Sequence, residues 1–160
     1  MNEPVSGRPE VWFYHLLSQP LERTLPSLLE RAGQRGWRVT VQAGSARRLQ
    51  NLDEILWTYK PDSFLPHGSA RDGDPHLQKV WLTTEGDNPN GAQVRICAYG
   101  ASAQEAALSG EPYERVILIF DGNDDVALTA ARAQWKALKE SGLTLSYFQQ
   151  TESGGWEKKA

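Results

Sequence analysis

The sequence predicts a three-layer α/β domain built on a mainly parallel sheet. Two observations carry that reading. Short apolar or alternating runs take turns with longer segments whose apolar residues recur at helical spacing. The run Val116 to Phe120 is continuously apolar, as a strand covered on both faces must be. Size and composition agree: the chain has 160 residues, 39% of them apolar, enough for one domain with its own core.

The elements follow in order. Residues 11–17, Val-Trp-Phe-Tyr-His-Leu-Leu, predict a buried first strand. Leu21, Leu25, Leu28, Leu29 and Ala32 then mark a helix, with Thr24 a candidate N-cap and Pro26 tolerable only near the first turn. Gly33 and Gly36 are expected to close it, and Trp37 to Val41 to form the second strand. Ser45 can cap a second helix whose Leu49, Leu52, Leu56 and Tyr59 share one face, stopped by Pro61. Pro61 to Pro66 read as a structured loop, and residues 68–79 as a polar one. Short strands are expected at Val80–Thr83 and Val94–Ala98, with a turn from Glu85 to Gly91. After the strand at Val116, Asp121 to Asp124 turn into a helix over Asp125 to Ser141, stopped by Gly142. Leu143, Leu145 and Tyr147 alternate as a last, half-exposed strand. The domain therefore spans residues 11–150, with flexible ends at 1–10 and 151–160.

Composition excludes several function classes. Seventeen Lys and Arg against 20 Asp and Glu leave a net charge of −3, so no globally basic surface offers itself to nucleic acid. The single Cys97 excludes an internal disulfide or a multi-cysteine zinc site. No apolar run reaches the roughly 18–20 residues that a membrane helix needs. The first residues lack the apolar stretch of a signal peptide, so a cytoplasmic protein is expected. Six tryptophans exceed what a core of this size requires, which points to partner-facing anchors.

Catalytic patterns are unconvincing. An apolar strand ending in Asp121 resembles the metal-holding strand of nucleotide hydrolases, but Ser18-Gln19-Pro20 after the first strand is no phosphate-cradling loop. Asp121 is better read as a turn former. His15, His67 and His76 form no ligand pattern with Cys97 or a carboxylate. His15 is expected as a hydrogen-bonded structural residue and Cys97 as an inert buried thiol. No catalytic residue, metal or cofactor is expected. A Mg/nucleotide-binding hydrolase using Asp121 stays the alternative from the enzyme class.

Two surfaces look like docking sites. On a wheel of about 100° per residue, Trp57 falls about 120° from the leucine face of the second helix. With Phe64 in the proline-bracketed loop it makes a candidate hot spot. On the last helix, Leu128, Ala131, Trp135 and Leu138 form the apolar face. Arg132, Lys136 and Lys139 then lie within about 60° of one another on one flank. A cationic ridge beside an aromatic suits an acidic peptide that carries an apolar residue. The bland reading is a solvated face with Lys136 paired to Glu140.

The opening strand with Phe13-Tyr14, the segment Leu52-Asp53-Glu54-Ile55-Leu56-Trp57, then Ser63-Phe64-Leu65-Pro66-His67 and Ala131-Arg132-Ala133-Gln134-Trp135-Lys136 resemble, in order and spacing, the chi subunit family of bacterial DNA polymerase III holoenzyme. The resemblance covers about residues 11–150. It implies a Rossmann-like fold and a non-catalytic accessory subunit of the clamp-loader assembly. It also implies one surface for the psi subunit, matched by Trp57 and Phe64. A second surface, for the acidic C-terminal tail of single-stranded DNA-binding protein, is matched by Arg132 and Lys136. Trp135 stands where the family usually has tyrosine, and Leu128 where a cation can occur, with Lys139, a turn later, as the expected replacement. A protein-interaction domain outside replication is the remaining alternative.

Overall fold

The computed structural model describes residues 9–58, 67–69 and 72–160, the side chain of Trp57 excepted. Along the chain run β1 (Glu10–Leu16), α1 (Leu21–Gln34), β2 (Val39–Ala43), α2 (Ala46–Trp57), β3 (Gly68–Ser69), β4 (Val80–Thr83), β5 (Val94–Ala98), α3 (Ala103–Ala107), β6 (Arg115–Asp121), α4 (Asp125–Glu140), β7 (Leu145–Gln150) and β8 (Trp156–Lys158). Among the described residues the strands form one sheet in the order β3-β4-β2-β5-β6-β1-β7-β8. All neighbours are parallel except β7 and β8. The expected mixed α/β class with a mainly parallel sheet is therefore observed.

Strand alternation divides the core in two. From β1, Tyr14 and Leu16 join Leu25 and Leu29 of α1 and Leu52 and Leu56 of α2. Val11 and Phe13, pointing the other way, join Ala103 and Ala106 of α3 and Ala131 and Leu138 of α4. Each fully buried leucine contributes about 2 kcal/mol, so both faces hold their helices firmly.

Several boundaries differ from expectation for identifiable reasons. Pro20, not Thr24, takes the N-cap position of α1. The Pro20 ring fixes a φ suited to helix entry, and Thr24 lies one turn inside, its hydroxyl donating to the Pro20 carbonyl at 3.0 Å. Pro26 therefore falls inside the helix. Gly33 does not end α1; the helix runs on to Gln34. Gly36, at φ +75°, makes the closing turn, in which Trp37 N–H donates to the Ala32 carbonyl and Gly36 N–H to that of Gly33. With its N–H committed to that cap, Trp37 stays outside β2, which starts at Val39.

Ser45 caps α2 as expected, accepting from Arg48 N at 3.3 Å. Tyr59 and the Pro61–Pro66 segment lie outside the described residues. Residues 68–79 are not all loop: Gly68 and Ser69 pair with Trp81 and Leu82, and a short 3₁₀ turn covers Pro75–Leu77. Helix α3 has too few residues for a periodic signal. It is capped by Ser102 and by Gln134 of α4, whose Oε1 accepts from Ala103 N and Gln104 N.

The supposed flexible tail is the clearest correction. Thr151 N–H donates to the Gly155 carbonyl, and Gly154 turns at φ +91°. The chain thus returns as β8 against β7, and Trp156 packs edge-on to Tyr14 at 4.8 Å. That ring contact and the backbone bonds between Tyr147 and the last residues hold the end of the chain.

No crossover helix joins β4 to β5. Their connection instead covers the sheet by satisfying the fully buried Arg95. Its guanidinium donates to Gln42 Oε1, to the Glu85 and Asp87 carbonyls and to the Tyr113 hydroxyl. No helix among the described residues is long and apolar enough to cross a membrane.

Candidate functional site

Helix α4 starts where it does because the Asp124 carboxylate accepts from Val126 N at 3.0 Å and Ala127 N at 3.2 Å. Ala131 and Leu138 are buried against the sheet and fix the rotation of the helix. That rotation leaves Arg132, Lys136 and Lys139 exposed, with Trp135 half-buried beside them. The structure thus brings the four expected residues together. Leu128 is half-buried at the same edge. Lys136 does not pair with Glu140, and no ion pair engages Arg132, Lys136 or Lys139 among the described residues.

Trp135 stands on an aromatic floor from the sheet. Its ring meets Phe13 of β1 edge-on at 5.2 Å and Tyr147 of β7 at 5.5 Å. Phe13 and Tyr147 are stacked at 6.1 Å, as their register in adjacent strands requires. His15, two residues further along β1, joins this face, its Nδ1 2.7 Å from the Tyr147 hydroxyl. It is the hydrogen-bonded histidine that its strand position implied. Burial, then the charge of Arg132, hold the His15 imidazole below its ordinary pKa, against the opposing pull of Asp121. Burial raises the Tyr147 phenol, and Arg132 works against that shift. The guanidinium of Arg132 therefore acts on both rings. Sequence reasoning passed over Phe13 and Tyr147 as site residues, although the two-residue period of β1 and β7 places them on one face.

The ridge does not line the large cleft of about 890 Å³ at the C-terminal ends of β1 and β6. Leu16, Glu22, Arg48, Tyr99, Asp121 and Asp124 are among its walls. In a phosphate-binding α/β protein, free amides after the first strand would face such a cleft. Here the N–H groups of Leu17, Ser18 and Gln19 all donate to Gln150 Oε1, at 2.9 to 3.0 Å. Asp121 Oδ1 accepts from Asn123 N at 2.9 Å, which is the work of a turn former. Cys97 is fully buried, and burial pushes its thiol up to about 12.

The second expected surface is that of Trp57 and Phe64. Trp57 ends α2, but its side chain and Phe64 lie outside the described residues. What is described nearby is His67, whose Nε2 lies 3.0 Å from Asp53 Oδ1 of α2.

Comparison with known proteins gives two findings. The family model described as "DNA polymerase III chi subunit, HolC" matches residues 9–146. A "Probable DNA polymerase III subunit chi" from Rickettsia prowazekii (strain Madrid E) is 26% identical over 111 residues, covering 68% of this chain and 67% of the relative.

Proposed function

The chain belongs to the DNA polymerase III chi subunit family, a replication accessory family, and on that premise we propose that it docks the acidic C-terminal tail of single-stranded DNA-binding protein on α4. The observation that carries this is an exposed ridge of Arg132, Lys136 and Lys139 without ion-pair partners among the described residues, set against the half-buried Trp135. Free cations attract carboxylates, and the aromatic edge takes an apolar side chain. Burying one aromatic ring contributes about 2 kcal/mol and each exposed charge contact about 1 kcal/mol. After association costs, the complex is micromolar, not nanomolar. The protein supplies no catalytic group in this role.

The psi subunit is the proposed second partner, on Trp57 and Phe64, and this part rests on the family resemblance. The protein would then link single-stranded DNA-binding protein to the clamp loader in the cytoplasm, with no direct contact to nucleic acid or membrane. The two core clusters on opposite sheet faces support a Rossmann-like three-layer description. Occupied amides after β1 and the turn role of Asp121 favour this reading over a nucleotide hydrolase.

Calorimetry with the tail peptide tests the proposal. Arg132→Ala and Lys136→Ala each weaken binding at least several-fold, more at low salt than at high salt. Unchanged affinity in both variants sinks the assignment of this site.

A further inference from the structure

Beneath the ridge, the buried His15 Nε2 has no hydrogen-bond partner among the described residues. It is sealed by the backbone of Gly122, where an added Cβ would sit only 2.0 Å from it. The other ring nitrogen, Nδ1, meets the Tyr147 hydroxyl at 2.7 Å. A neutral imidazole carries one proton, on one nitrogen. An N–H orphaned against Gly122 is costlier than an orphaned lone pair there. The proton therefore belongs on Nδ1, which donates to the Tyr147 oxygen. The hydroxyl proton of Tyr147 is then turned away from His15 and left for another acceptor. Tyr147 is half-buried and in ring contact with Trp135.

We propose that Tyr147 is a further binding residue of the acidic-peptide site, donating its hydroxyl to a peptide carboxylate next to Arg132, and that His15 is the positioning residue that orients it. This rests on the tail-binding reading above. The charged and titratable groups bearing on His15 are Asp121 at the end of β6, Arg132 of α4 and Tyr147 of β7. Only the β7 hydroxyl is within hydrogen-bond reach of the ring among the described residues. The pairing of one fixed donor with one flexible cation selects a carboxylate over a bare apolar side chain.

The test uses the full chain and a synthetic acidic peptide with a terminal aromatic residue and a free carboxylate. Nitrogen-15 NMR of the wild type at pH 7.5 reads the His15 tautomer, with Nδ1–H expected. Tyr147→Phe lowers peptide affinity about five- to tenfold, with circular dichroism showing the fold kept at the assay temperature although the orphaned Nδ1–H lowers the melting temperature. His15→Leu gives a similar loss, and His15→Asn, whose side-chain N–H can stand in for Nδ1–H, restores most of it. An Nε2–H tautomer, or Tyr147→Phe binding as tightly as wild type, overturns the inference while leaving the ridge assignment standing. A wild type that does not bind the peptide overturns both.

Discussion

Arg95 offers the sharpest test of how the sheet is covered where no helix lies on it. In Arg95→Met the volume is nearly kept, but the donors go. Gln42 Oε1, the Glu85 and Asp87 carbonyls and the Tyr113 hydroxyl all lose their shared partner. Orphaning each buried acceptor costs about 1 kcal/mol, and relief from burying a cation offsets part of that. The net loss is about 3 kcal/mol. With an unfolding entropy of about 2.1 cal/mol/K per residue over 160 residues, that lowers Tm by about 9 °C. Differential scanning calorimetry reads the shift. A drop of less than about 3 °C, or a gain, would refute the reasoning, because it would mean that desolvating the cation cancels its bonds.

Other outcomes follow from the same structure. The folded-state pKa of His15 is depressed, so the unfolded chain binds more protons as pH falls below the ordinary imidazole value of about 6.5. Stability contributed by neutral His15 is thus present above that pH and lost as pH drops through the folded value. Urea unfolding at pH 7.5 and 5.5 should show a larger loss in wild type than in His15→Asn, and equal losses would contradict it. Cys97, pushed up to about 12, should resist iodoacetamide at pH 8 in the native protein and react in denaturant. Trp156→Ala should destabilise by about 1–2 kcal/mol and release amide protection in β8, a result that a loose tail would not give.

Much of the fold was legible because burial leaves a period in the sequence. The run Val116 to Phe120 and the helix from Asp125 showed themselves in that way, and their boundaries shifted by a residue at most. Where a single contact decides, periodicity is silent. Trp156 looked like part of a tail, since nothing local reveals that its ring reaches Tyr14. Trp37 looked like strand, since nothing local reveals that its N–H is claimed by the end of α1, which Gly36 turns. The ridge was legible for the same reason as the helix: once Ala131 and Leu138 point inward, the positions of Arg132, Lys136 and Lys139 are geometry. The His15–Tyr147 bond was not, because it joins residues 132 positions apart through strand pairing. Five of the six tryptophans have described side chains: Trp81 is buried, Trp12 and Trp37 hold Arg115 between them, Trp156 packs on Tyr14, and Trp135 stands at the ridge.

The central claim is that the α4 ridge captures single-stranded DNA-binding protein. A pull-down from the native host, with wild type beside Arg132→Glu/Lys136→Glu, tests it most directly. Single-stranded DNA-binding protein enriched on the wild type and lost on the double variant is the predicted result. Equal recovery on both, or none on the wild type, would contradict it.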